Sequence, residues 1–318
     1  MITLQDINDA YSRIAPYIRR TETIQNQTLS QKLGTNLYLK LELFQKTGSF
    51  KPRAAFNKML LLNQEERQRG VVAVSGGNFA QGVAYAGKTL NVRNKIIMPA
   101  YTSKNYIEAT QSYGAQIELV PDVQAAFEKA EEYRQQGQTF LHLYDDPDIM
   151  AGNGTIGLEL LEQVPEVTDV IISVGGGGLM SGIIIALKSL KPQVRVWTVE
   201  TEGAATLGSA LNTGQVVSIK PTSLAKTLGA PKIAEDALLI AQKHVSQHTL
   251  VSDLEAYESL RLLLERAKIL TELSAACTLA AAYKLHRHFT KERHVVLILC
   301  GGNVSLDDLV QYKNMFEV

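Results

Sequence analysis

The chain has 318 residues, 45% of them apolar, with 32 basic residues balanced by 32 acidic ones for a formal net charge of +0. That length and apolar content can bury a large core and suggest about two domains of ordinary size, while the even charge leaves no basic footprint for nucleic acid or an anionic membrane. No run approaches the roughly 20 apolar residues that span a bilayer, and Met1-Ile-Thr-Leu-Gln-Asp6 lacks both the basic and the apolar region of a secretory leader, so a cytoplasmic protein with a small-molecule ligand is expected. Cys277 and Cys300 stand far apart among apolar residues, which argues for reduced thiols; Cys277 reads as a core residue.

In chain order, Leu37 to Leu43 reads as a strand, and Gly48-Ser-Phe-Lys-Pro-Arg53 follows it with a proline at a helix start. A lysine held there feels the positive end of the helix dipole, and partial burial would lower its pKa further toward a neutral, nucleophilic amine. The bland alternative for Lys51 is a solvated side chain. From Val71 onward, β-branched runs alternate with helical periodicity, the pattern of a parallel sheet crossed over by helices in an α/β fold. Strands are predicted at 71–75, 95–98 and 116–120, with helices at 78–90 and 103–113 between them, as one small three-layer unit. After the polar Tyr144-Asp-Asp-Pro147 a second series begins: helix 154–164, strand 169–174, helix 179–190, strand 194–200. Two helices, 253–268 and 274–289, lead into His294–Cys300, an apolar run of the kind buried on both faces of a parallel sheet. No repeat, low-complexity tract or flexible linker interrupts this order.

Three glycine-containing turns carry candidate chemistry. Gly175, Gly176, Gly177 and Gly178 lie between a strand and a helix, where their N–H groups can converge on a phosphate; a plain tight turn needs fewer glycines. Glu200 ends the next strand at about the distance of a ribose-binding carboxylate, but G-x-G-x-x-G fails in every register, which excludes the dinucleotide reading. Ser75-Gly-Gly-Asn78-Phe-Ala-Gln-Gly82 offers N–H groups suited to a carboxylate, or is simply a turn. Cys300-Gly-Gly-Asn303 closes the last apolar strand, where ligands of open α/β sheets gather, although a lone cysteine also serves plain packing.

In this order, Gly-Ser-Phe-Lys51, the loop at Ser75–Gly82, the tetraglycine and Cys300-Gly-Gly-Asn303 resemble the serine/threonine dehydratase and serine racemase family of pyridoxal-phosphate (PLP) enzymes. The resemblance extends over nearly the whole chain, including Tyr144-Asp-Asp-Pro-Asp-Ile-Met-Ala-Gly-Asn-Gly-Thr155. It implies the tryptophan synthase β-like fold (fold type II), with a larger PLP-binding domain of residues 1–45 and 147–318, a smaller one of 46–146, and a homodimer. By the same resemblance Lys51 would hold PLP covalently and act as the base, with Phe50 beside the ring and Asn78 bonded to the phenolic oxygen. Ser75, Gly76, Gly77, Asn78 and Phe79 would take the substrate carboxylate. Gly175 to Gly178 with Leu179 would hold the phosphate, and Cys300 would face the pyridine nitrogen as a neutral thiol that does not favour its protonation. The implied activity converts a β-hydroxy amino acid such as threonine or serine to a 2-oxo acid and ammonia. The similarity ends within the catalytic portion, so feedback by isoleucine is not expected.

Several residues depart from the family pattern. Gly76 replaces the racemases' serine, Phe79 a histidine and Asn153, a further substrate-site position, a glutamine. Thr206 replaces an aspartate that with Glu200 and the Ala204 carbonyl would ligate a cation, so this candidate metal site is degenerate and no metal is assigned to it. Ser-Leu-Ala-Lys226-Thr227 stands where the family reads Ser-x-Ala-Asp-Gly; Lys226 is expected either to do the ion's work on Glu200, to meet a substrate carboxylate, or to point to solvent. Phe79 suggests a bulky or aryl β-substituent, as in phenylserine. The alternatives are a racemase-like enzyme, against which Gly76 argues, a β-replacement PLP enzyme, against which the missing Thr-Ser-Gly-Asn-Thr-Gly loop argues, and a non-catalytic PLP or amino-acid-binding protein, against which Lys51 argues.

Overall fold

A computed structural model describes residues 1–317. Its strands are β1 (Thr23–Gln25), β2 (Asn36–Lys40), β3 (Val71–Val74), β4 (Asn94–Pro99), β5 (Gln116–Val120), β6 (Thr139–Leu141), β7 (Asp169–Ser173), β8 (Arg195–Thr201), β9 (Val245–Val251) and β10 (His294–Ile298). They form a six-stranded sheet in the order β1-β2-β10-β7-β8-β9 and a four-stranded sheet in the order β5-β4-β3-β6. Every pairing is parallel except that of β1 with β2. The runs Val71-Val-Ala-Val74 and Asp169-Val-Ile-Ile-Ser173 are buried at every position, as strands covered by helices on both faces require.

The larger sheet's core gathers Val170, Ile171, Val196, Val296 and Leu297; the smaller sheet buries Val71, Ala73, Ile96 and Met98 on one face and Val72, Val74 and Ile97 on the other. Each such Val, Ile, Leu or Met side chain gains roughly 1.5–3 kcal/mol over exposure. Ile14 and Ile149, from helices Leu4–Ile14 and Pro147–Gln163, pack into the smaller sheet's core.

The helix predicted from residue 154 begins at Pro147, with Asp146 accepting bonds from the N–H groups of Asp148 and Ile149. Its glycines are there for close packing. A Cβ at Gly152 would fall 2.7 Å from the Arg53 carbonyl oxygen, and one at Gly157 would fall 2.7 Å from Ala186 Cβ. The predicted strand 37–43 stops at Lys40, where Glu42–Phe44 coils into a short 3-10 turn. The helix from Asp253 changes to a π-helical turn at Leu263, and β10 ends at Ile298.

Beneath the helix Lys51–Leu60 lies a buried ionic cluster. Arg53 Nε donates to Glu42 at 2.8 Å and Nη1 to Glu159 at 2.7 Å, while Lys40 Nζ donates to Glu159 at 2.7 Å. Burial opposes the charge on Arg53, but Glu42 and Glu159 outweigh it and raise its pKa. This cluster joins β2, the Lys51 helix and the helix from Pro147, and so fixes where Lys51 emerges.

Candidate active site

Lys51 opens its helix with Pro52 directly behind it, as the proline position requires. Its amine is partly buried, 3.4 Å from the Leu143 carbonyl oxygen, with the Phe50 and Phe79 ring centroids at 4.7 and 5.6 Å. Burial lowers its pKa to about 8, against the opposing pull of Cys300 and Glu272. The amine is therefore loosely held and easily made neutral.

The segment leading into Lys51 is strapped to the chain leaving β10. Phe50 N donates to the Cys300 carbonyl at 3.0 Å, Ser49 and Gly301 form an antiparallel bridge, and Gly302 N donates to the Gly48 carbonyl at 2.9 Å. Cys300 is buried, its thiol pushed up to about 12 chiefly by burial and then by Glu272, with Ser173 Oγ at 3.7 Å. It is a neutral thiol.

The tetraglycine joins β7 to the helix Gly178–Leu190. Only Gly177, at φ 92°, needs the left-handed conformation. The others lack room for a side chain: a Cβ at Gly176 would sit 2.1 Å from Tyr144 Cγ, one at Gly175 3.1 Å from the Leu228 oxygen, and one at Gly178 2.8 Å from the Tyr144 oxygen. Among the described residues, the backbone N–H groups of Gly175 to Leu179 have no protein acceptor, which is the donor set a phosphate needs. Tyr144 lies on this loop while its neighbour Leu143 holds Lys51, so the lysine and the glycines flank one short segment.

In the loop after β3, the N–H groups of Gly76, Asn78 and Phe79 likewise have no protein acceptor, and Gly77 N donates to Ser75 Oγ at 3.2 Å. Asn78 opens the helix Asn78–Leu90 and is bonded on both sides of its amide, to Glu272 and to Asn303. Glu272 escaped the sequence reading, because a single acidic residue before a helical pattern carries no distinguishing signal. Burial raises its pKa, opposed by bonds from Asn78 and Thr227.

The residues that depart from the family pattern take definite places around this site or apart from it. Phe79 is buried in the smaller sheet's core, so what it offers the site is a ring face near Lys51 rather than a broad apolar wall. The space beside Gly76 is taken: a Cβ there would lie 2.6 Å from Thr102 Oγ1, so a serine at 76 requires Thr102 to move. Asn153 is buried in the helix from Pro147 with Oδ1 lacking a partner. Lys226 is exposed and forms no ion pair among the described residues. Glu200 instead accepts bonds at 2.9 Å from Leu207 N, Gly208 N and Thr206 Oγ1, and His248 Nε2 lies 3.2 Å away without an aligned hydrogen bond. Ala204 is buried in the preceding 3-10 turn. A carboxylate so fully supplied with donors does not suit the cation site implied by the family resemblance.

A free lysine amine, a neutral thiol and a donor-lined glycine loop fit pyridoxal phosphate, and comparison with known proteins agrees. Residues 14–301 match the family model described as pyridoxal-phosphate dependent enzyme. The chain is 38% identical over 311 residues to the L-threonine ammonia-lyase of Thermotoga maritima, covering 96% of this chain and 77% of that protein. It is 36% identical over 312 residues to a catabolic L-threonine dehydratase of Staphylococcus aureus, covering 96% and 90%. Among solved structures, maize serine racemase superposes with a TM-score of 0.92 at 30% identity over 98% of both chains. The serine racemase of Dictyostelium discoideum gives 0.88 at 34%, over 96% of this chain and 99% of that one. With its lysine, glycine loop and fold in agreement, the chain belongs to the pyridoxal-phosphate dependent enzymes of fold type II.

Proposed function

We propose that the protein is a dehydratase that converts a β-hydroxy amino acid, threonine or serine, to a 2-oxo acid and ammonia. The observation that carries this reading is Lys51: one amine, drawn down to about 8 by burial, at the junction of the strap, the Asn78 loop and the Leu143–Tyr144 segment. The names of the relatives at 36–38% identity support the same substrate class.

Bound pyridoxal phosphate supplies an electron sink that acidifies the substrate's α-hydrogen. In this reading the N–H groups of Gly175 to Leu179 hold the phosphate, and Asn78 meets the phenolic oxygen. Those of Gly76, Asn78 and Phe79 orient the substrate carboxylate, with Ser75 and Gly77 shaping the loop and Asn153 facing the substrate. Lys51 Nζ is both the attachment point and the base that takes the α-proton. Cys300, kept neutral by burial, does not hold a proton on the pyridine nitrogen, and expulsion of the β-hydroxyl is favoured over transamination. Water lost with that hydroxyl is regained when the released enamine hydrolyses. The reading assigns Asn78 to a smaller unit of residues 46–146 and the phosphate loop to a larger one of 1–45 and 147–318. It also takes the protein as a cytoplasmic homodimer.

Lys51→Ala should lose both the visible absorbance of the bound cofactor and 2-oxo acid production from threonine or serine. A yellow, active variant would end this assignment. The aryl preference is a finer part of the proposal: kcat/KM for phenylserine relative to threonine should fall in Phe79→His. The similarity to serine racemases supports a racemase-like second reading, against which Gly76 and the closeness of Thr102 argue. Chiral analysis of unreacted serine separates the two.

A further inference from the structure

Thr47, Asn303, Asn78 and Glu272 form a continuous line of hydrogen bonds across the site. Asn303 Nδ2 donates to the Thr47 carbonyl and to Asn78 Oδ1, each at 2.8 Å. Asn78 Nδ2 in turn donates to both carboxylate oxygens of Glu272 at 3.0 Å, and Thr227 Oγ1 donates to Glu272 at 2.9 Å. Both ends of the line, a backbone carbonyl and a carboxylate, are acceptors. An amide facing either one must present its NH2, so the orientation of both asparagines is dictated by chemistry. Turning either side chain over would set oxygen against oxygen or NH2 against NH2.

The line also crosses between elements. Thr47 lies in the strap into Lys51, Asn303 and Glu272 lie beside the exit from β10, and Asn78 belongs to the loop of the smaller sheet. Two glycines leave space for it. A Cβ at Gly48 would fall 2.6 Å from Asn303 Oδ1, and one at Gly301 would fall 2.9 Å from Glu272 Oε1. One N–H of Asn78 aimed between the Glu272 oxygens accounts for both contacts, and the second N–H remains to be used.

We propose that Glu272 and Asn303 are positioning residues that lock Asn78 as a one-way hydrogen-bond donor toward the cofactor's phenolic oxygen and set the lysine strap in register with the Asn78 loop. This rests on the reading of the site given under Proposed function. An aspartate at 303 would face two acceptors, forcing Asn78 to turn its oxygen toward the ligand. A glutamine at 272 could then donate to that oxygen's other side, repairing the line but not the lost donor.

The test compares wild type, Asn303→Asp, Glu272→Gln and the double variant by the Kd of PLP for each apoenzyme, the visible band of each holoenzyme, and thermal melting. Asn303→Asp should bind PLP about tenfold more weakly, shift the band and melt lower. The double variant should regain much of the melting temperature while keeping the weak binding and the shifted band, a split that a purely structural role would not produce. Should Asn303→Asp fail to fold, Asn303→Ala carries the same expectation for Kd and band, since it frees Asn78 to turn. A wild-type Kd and band in the folded position-303 variant, or a double variant that recovers them together with its melting temperature, overturns the proposal alone. A wild-type protein that takes up PLP with no visible band overturns the underlying reading with it.

Discussion

Lys51 Nζ has one acceptor, at a long 3.4 Å, and two aromatic rings for company, so burial outweighs the opposing pull of Cys300 and Glu272. The neutral amine is the form that captures an aldehyde, and with a pKa of about 8 it becomes the major form above that pH. Capture of PLP by the apoenzyme should therefore accelerate roughly tenfold per pH unit below 8 and level off above it. Stopped-flow absorbance between pH 6 and pH 10 measures this (both limits being roughly two units from the midpoint), and a rate still climbing steeply at the alkaline end, as for an ordinary lysine, would contradict it. At this scale the sequence was legible where local chemistry marks a residue: Pro52 marks Lys51 as a helix start, and four successive glycines mark the anion loop. It was illegible where a partner comes from far away. Glu272 meets Asn78 across 194 positions, and nothing near residue 272 announces it. Even the glycines were understood only in part, since three of the four answer to crowding by Tyr144 and Leu228 rather than to backbone conformation.

Among the elements, the helices Lys51–Leu60 and Pro147–Gln163 matter most to the site, because the Arg53–Glu42–Glu159 contacts bind them beneath the lysine. A buried ion pair owes its stability to completeness: removing one member leaves the others charged without compensation. Arg53→Met, close in volume, leaves two buried carboxylates with Lys40 as the remaining buried cation of the cluster and should destabilise the fold by about 3–5 kcal/mol. Urea denaturation gives the figure directly, and a loss under about 1 kcal/mol would mean that the cluster relaxes or takes up protons cheaply. These helices were also the ones hardest to delimit from the sequence. Gly152, Gly154 and Gly157 weaken the helical pattern that the structure nevertheless adopts, since tight packing against Arg53, Ile7 and Ala186 outweighs propensity. The parallel strands, by contrast, were plain from their unbroken apolar runs.

For the whole molecule, the two sheets present their glycine loops at the carboxyl ends of β3 and β7, and the strap against the exit of β10 brings Lys51 to the same place. The alternation of strands and helices made this architecture readable, whereas β9, with its mixed burial, was not recognised as the edge of the larger sheet. That strand proves consequential, because it carries His248 to Glu200. Glu200 is wholly buried, and its two oxygens accept from Leu207 N, Gly208 N and Thr206 Oγ1, with His248 Nε2 at 3.2 Å. Thr206 Oγ1 also lies 2.9 Å from the Gly175 carbonyl oxygen, which links this cluster to the glycine loop. A divalent cation is held by accumulated carboxylate and carbonyl oxygens, and it would have to displace donors that already satisfy this lone carboxylate. Among the described residues no group of three or more His, Cys, Asp or Glu side chains is arranged to hold a metal, and Lys226 stands exposed, apart from Glu200. With Glu200 supplied by these N–H and hydroxyl groups, the fold is expected to need no ion there. Dialysis of the holoenzyme against a chelator should leave turnover and melting temperature unchanged, and added magnesium or calcium should alter neither. A large loss on chelation that magnesium restores would show instead that Glu200 gives up these bonds to a cation and that the glycine loop depends on it.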